Sequence, residues 1–213
     1  MSPAALFRLP APGRVDQEVP LAPDAPGWTI RELAGRLVEL SGGADAASLT
    51  AAFGLILEAQ LAGDRAAWVG LPGSSFFPPD VGDGGIDLAA LPVVRARDAR
   101  TAARAADHLL RSGGFGLVVI DLIAAPQNSA GVSVPLLTRL LGLARAHDAA
   151  VVILTKKLDD APSLNSLISL RAETARSAAA PGRYEVRVRA IKDKRAGPGW
   201  THGETCRGPA GMR

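Results

Sequence analysis

Five short runs of continuous apolar residues constrain this chain more than any other feature of it: 36–41, 66–70, 92–96, 116–122 and 149–155. They are continuous and mostly apolar rather than alternating. That is the pattern of strands covered by helices on both faces of a sheet. Between them lie helix-like runs at 47–62, 98–112 and 134–147, with Gly63 and Gly113 just past two of the helix ends, where a C′ glycine is favoured. Strand and helix in alternation predict an α/β fold with a mostly parallel, twisted sheet flanked by helices and right-handed crossovers.

The last third departs from this pattern. Runs 167–176 and 183–191 flank Pro181-Gly182, and Tyr184, Val186, Val188 and Ala190 alternate with Glu185, Arg187 and Arg189. Period two around a turn predicts a C-terminal antiparallel hairpin with one face exposed. Residues 1–27 hold six prolines, which exclude a regular helix, so an extended arm is expected, with Ala5, Leu6, Phe7 and Leu9 as a short apolar patch. Residues 196–213 are rich in Gly and Pro and are expected to form a loop or tail, leaving 28–195 as the domain. Segments 71–91 and 123–133 are long for loops in a compact domain, and Phe76 and Phe77 of the first need cover.

Composition narrows the class. With 47% hydrophobic and only 4% aromatic residues, the core must be aliphatic. A single cysteine, Cys206, excludes a disulfide framework, and a reducing cytoplasm is the expected setting. No apolar run approaches the roughly 20 residues that span a bilayer, and MSPAALFRLPAPGR has no charged segment leading into an apolar one, so neither membrane nor signal peptide is expected.

Charge is unevenly spread. Residues 1–150 hold 12 Arg and Lys against 15 Asp and Glu, a balance of −3, whereas 151–213 hold 12 against 6, a balance of +6. All four lysines (Lys156, Lys157, Lys192, Lys194) lie in that last part. An anionic partner for the C-terminal part is one reading, and a solvated basic face is the other. The histidines, His108, His147 and His202, are scattered, and Cys206 with His202 is too small a set for a closed zinc site. Asp159 and Asp160 beside Lys156 and Lys157 suggest a local charge network.

The stretch 41–52, SGGADAASLTAA, stands between a strand-like and a helix-like run, where a phosphate-binding loop would stand. The residues of such a loop, G-x-x-x-x-G-K-[ST], are missing. Gly42 holds the first position, Ala47 replaces the second glycine, Ser48 the lysine, and Leu49 the metal-binding hydroxyl. No lysine precedes residue 156, so a small shift of alignment does not restore one.

From about Gly35 to Arg195 the order of motifs resembles the RecA recombinase core. AGRLVELSGGADAASLTAAFGLILEAQLAGDRAAWVG looks like the stretch around the family's Walker A loop, VVIDL like its Walker B strand, and VRAIKDKR like its final strand with a Lys-x-Lys pair. The resemblance makes Asp121 the surviving Walker B carboxylate. The catalytic glutamate is absent after Gly70-Leu71-Pro72, and Thr155-Lys156 stands where a glutamine is expected. Gly42, Ala47, Ser48, Leu49 and Asp121 are thus a degenerate nucleotide site. Loss of these groups argues against ATP hydrolysis and implies no cofactor, although a helix N-terminus still attracts anions.

A RecA fold without its ATP site is similar to the ImuA proteins, grouped with the SulA-like cell-division inhibitors; GWTIRELAGRLVEL also looks like that group. The resemblance implies a non-catalytic accessory role in DNA damage-induced (SOS) translesion synthesis. Its expected partners are RecA and ImuB, a polymerase-like protein. The expected contact set is Lys156, Lys157, Arg171, Arg187, Arg189, Lys192, Lys194 and Arg195, facing either an acidic protein surface or single-stranded DNA. Scarce aromatics, only Tyr184 and Trp200 nearby, favour protein over DNA. A SulA-like action on a tubulin-like protein is a third expectation.

Overall fold

The computed structural model describes residues 27–43, 47–74, 76–125, 132–157 and 160–207. In chain order they form α1 (Ile30–Leu33), β1 (Leu37–Gly42), α2 (Ser48–Leu61), β2 (Ala66–Gly70), α3 (Pro78–Asp83), a 3-10 turn (Leu88–Ala90), β3 (Val93–Arg95), α4 (Ala99–Arg111), β4 (Leu117–Asp121), α5 (Val134–Ala146), β5 (Ala150–Lys156), β6 (Leu170–Ala180), β7 (Arg183–Asp193) and β8 (Thr201–Arg207). The strands make one sheet in the order β3-β2-β4-β5-β1-β6-β7-β8. Pairing is parallel from β3 to β6 and antiparallel from β6 to β8. The fold is therefore α/β, with helices on a mostly parallel sheet and an antiparallel C-terminal part, an arrangement consistent with a RecA-like core.

The continuous apolar runs are explained by burial on two sides. Every residue of β1, β2 and β4 is buried. Val38, Leu40, Trp68, Val119, Val152 and Leu154 pack under α2 on one face. Their neighbours Leu37, Val69, Val118, Ile120, Val151 and Ile153 pack under α4 and α5 on the other. Gly63 and Gly113 follow α2 and α4 with φ of 83° and 65°, a conformation in which a Cβ is strained.

Two segments differ from expectation. The tail supplies β8, which pairs with β7 from Arg183↔Arg207 to Arg189↔Thr201. Its sequence, THGETCR, carries no apolar run because it is an edge strand with mostly exposed residues. The long segment 71–91 contains α3 and the 3-10 turn; α3 begins at Pro78-Pro79, where proline is tolerated because the first helical N–H groups have no partner in any case. Phe76 is covered, packing on Trp68 and Phe53 with centroids 5.5 and 5.9 Å away, whereas Phe77 remains 56% exposed. Most of the arm, the middle of 123–133, Asp159 and the last six residues of the tail lie outside the described residues.

The antiparallel part is tied to the parallel part by a buried ion pair. Arg36, just before β1, donates from Nη2 to Asp193 Oδ1 at the end of β7 at 2.5 Å, with side chains 3% and 2% exposed. Arg36 also donates to Ser169 Oγ (3.0 Å) and Ser169 O (3.2 Å), while Asp193 accepts from the Arg195 amide (2.8 Å) and the Trp200 indole (3.0 Å). Burial pushes the Asp193 carboxyl upward, but the Arg195 amide, Arg36 and Trp200 outweigh it and hold the carboxyl below its usual range.

Replacing Asp193 by Ala leaves a buried guanidinium without its counter-charge. The expected cost is about 3–5 kcal/mol in urea denaturation at neutral pH. Because the folded carboxyl is depressed, its contribution is complete above the ordinary carboxylate value of about 3.9 and is lost as the pH falls through the lower folded value. The stability gap between wild type and Asp193→Asn therefore narrows in acid.

Candidate functional site

β1 feeds α2 on one face of the sheet, whereas its neighbour β5 feeds a connection whose Leu164, Leu167 and Ile168 pack on the other face. Adjacent strands that send their connections to opposite faces open a crevice at their C-terminal ends, the usual ligand position in such sheets. The five residues expected to form a degenerate nucleotide site lie at the ends of β1 and β4 and at the start of α2. Gly42 ends β1, paired in register with Lys156 of β5. Ala47 is the N-cap residue of α2 and offers no side-chain cap. The Ser48 hydroxyl is buried and shares a 2.9 Å hydrogen bond with Thr174 Oγ1 of β6. Leu49 packs against the core under α2.

Asp121 ends β4 with its side chain almost fully buried. Its Oδ2 accepts from Ser74 Oγ at 2.5 Å and its Oδ1 from the Ile123 amide at 3.0 Å. Both oxygens of the carboxylate are engaged by protein donors, and Ser48 is turned onto β6. The polar atoms of these two side chains are therefore satisfied within the protein.

A second buried carboxylate lies in the middle of β1. Glu39 is fully buried. Its Oε1 accepts from Thr155 Oγ1 (3.0 Å) and pairs with Lys157 Nζ (2.8 Å), and its Oε2 accepts from the Leu164 amide (2.8 Å). Arg171 of β6 is its register partner, and Lys192 of β7 is in turn the partner of Arg171. Burial, then the neighbouring Lys194, holds the Lys192 ammonium below its usual value, while Glu39 acts against them.

The eight basic residues do not form one patch. Register places Arg171, Lys192, Arg189 and Arg187 on one face of β6 and β7, with Glu173 among them. Arg187 pairs with Glu185 at 2.9 Å and Arg189 with Glu173. Lys156 is exposed at the end of β5. Lys157 is tied to Glu39 and to Pro162 O (3.2 Å), and Lys194 to Ser166 O (2.5 Å). Arg195 reaches Glu32 O (3.4 Å) and Ala34 O (3.1 Å) at the end of α1. Arg183 and Arg207, outside the expected set, are register partners on the Arg187 face. Tyr184 lies on the opposite face of β7, under Arg176 at 5.2 Å, and Trp200 gives its N–H to Asp193.

Sequence reasoning also missed Glu39, Arg36, Ser74 and Thr174. For the first two a signal existed: a charge inside or beside an apolar strand run must have a partner. Among the described residues no group of three or more His, Cys, Asp and Glu is placed to hold a metal, and no helix is long and apolar enough to cross a membrane. Burial, with Glu204 beside it, pushes the Cys206 thiol up to about 11.

The chain matches no protein-family model and no curated protein sequence. The fold defines its class: an α/β protein with a mostly parallel sheet and an antiparallel C-terminal part, consistent with a RecA-like core.

Substituting Asp121 by Ala leaves the Ser74 hydroxyl and the Ile123 amide without their acceptor. A loss of about 1–3 kcal/mol is expected, read by chemical denaturation with an unchanged far-UV spectrum.

Proposed function

We propose that this chain is a non-catalytic RecA-like accessory protein that acts by protein–protein contact. The observation that carries the reading is the internal pairing of Ser48 and Asp121 beside the ends of β1 and β4. Ser48 is spent on Thr174 and Asp121 on Ser74 and Ile123, so the groups that would meet phosphate and metal serve packing instead. Phosphoryl transfer depends on positioned charge around the transferred group, and the loop leading into α2 brings no cation. A scaffold kept without that grip is suited to presenting a filament-like face.

The resemblance to ImuA proteins supplies the setting: the cytoplasm, DNA damage, and translesion synthesis beside RecA and an ImuB-like polymerase homologue. A physical mechanism is capping. The chain offers RecA one filament-type face, and no ATP is closed at that joint, so filament growth stops there. Single-stranded DNA is a second reading, favoured by the exposed face that joins Arg187 and Arg189 to Arg183 and Arg207 across β7 and β8. Phosphate contacts would then carry the affinity, because neither Tyr184 nor Trp200 lies on that face as a stacking platform.

Titrated into RecA assembled on single-stranded DNA with ATP, the protein is expected to co-purify with RecA and to lower its turnover as it reaches equimolar amounts. Absence of both effects rejects the RecA reading. Calorimetry with magnesium–ATP is expected to show no saturable binding. The DNA reading predicts fluorescence anisotropy with a steep salt slope that flattens in Arg187→Ala/Lys192→Ala; a slope equal to wild type in that variant rejects it.

A further inference from the structure

β5 and β6 run parallel on opposite sides of β1, so the chain leaving β5 must return across β1 to begin β6. Crossovers of this kind usually carry a helix that satisfies its own backbone. Residues 160–169 make the return without one. This strap lies on the α4–α5 side of the sheet, with Ile168 fully buried and Leu164 and Leu167 partly so. Irregular backbone over a sheet needs polar partners beneath it.

Those partners are unequal at the two ends. The Ser169 end is built into the sheet: its amide donates to Leu37 O at 2.9 Å, Arg36 holds its carbonyl and hydroxyl, and Lys194 holds the Ser166 carbonyl. The Leu164 end is held by Glu39, directly through the Leu164 amide and indirectly through Lys157, which grips the Pro162 carbonyl. Thr155 fixes the carboxylate from the side.

We propose that Glu39 is the catch of a strap, residues 160–169, which is hinged at Ser169 and opens without unfolding of the sheet beneath. Burial of an ion pair forfeits hydration that its Coulomb attraction only partly offsets. Opening the Leu164 end returns Glu39 and Lys157 to water, so hydration compensates much of the lost pairing, and the separation costs less than exposing an apolar contact of equal area. The strongly bonded Ser169 end stays in place. In the open state Lys157 is released from Glu39 and joins the exposed cations. The inference stands on the strap's own geometry and is independent of the RecA and DNA readings.

Hydrogen exchange on the full chain tests it, comparing wild type with Glu39→Gln and Lys157→Met. In wild type, amides of 163–165 at the Leu164 end are expected to exchange well before that of Ser169 and those of β4 and β5, as a separate opening unit. In both variants the strap amides should exchange about tenfold or more faster, the effect of weakening one charge-assisted hydrogen bond, and should remain the first to exchange, ahead of β1, β4 and β5. Lys157→Met decides alone should Glu39→Gln fail to fold, because Lys157 is partly exposed. Unchanged strap rates in Lys157→Met, or strap amides that exchange together with those of the sheet in wild type, overturn the proposal.

Discussion

β1 is hydrogen-bonded along both edges and covered on both faces, so every polar group on it must find a partner inside the protein. Two charges meet that demand from far along the chain. Arg36 at its start is answered by Asp193 at the end of β7, and Glu39 within it by Thr155, Lys157 and the Leu164 amide. The first contact fastens the antiparallel C-terminal part to the parallel part, and the second fastens the β5–β6 connection to β1. They also give a structural use to part of the C-terminal charge: Lys157 and Lys194 hold the β5–β6 connection, and Arg195 holds the carbonyls at the end of α1.

The same inward turning governs the side chains beside the ends of β1 and β4. In a nucleotide-binding protein of this class, polar groups there face outward toward phosphate and metal. Here Ser48 faces β6 and Asp121 faces Ser74. What the molecule presents outward is instead the arginine-rich face of β6, β7 and β8, which carries Glu173 and Glu185 among its cations. Mixed charge of this kind suits a protein surface with a matching pattern, since complementarity fixes register and orientation more than it adds affinity.

The parallel strands and α2, α4 and α5 were legible in the sequence to within a residue or two. Two-sided burial leaves a continuous apolar run, and one-sided helix packing leaves a 3.6 period. The β6–β7 hairpin was legible for a related reason: Val186, Val188 and Ala190 face the core while Arg187 and Arg189 do not. β8 left no such trace, because an edge strand with largely exposed residues can be polar throughout. α3 was hidden by its prolines and glycines and by its length of six residues.

The identity of the residues along 42–49 was fixed by sequence alone, and with it the absence of a lysine and of a metal-binding hydroxyl in that loop. Which basic residues face solvent and which are consumed internally was decided only by the tertiary structure. Composition gives eight similar cations; register separates Arg187, Arg189 and Lys192 from Lys157, Lys194 and Arg195, which lie at contacts made by residues more than a hundred positions away or by the strap between β5 and β6. The physical reason is that local sequence encodes burial through periodicity, whereas charge pairing depends on which distant strand lies alongside, and a period carries no record of that.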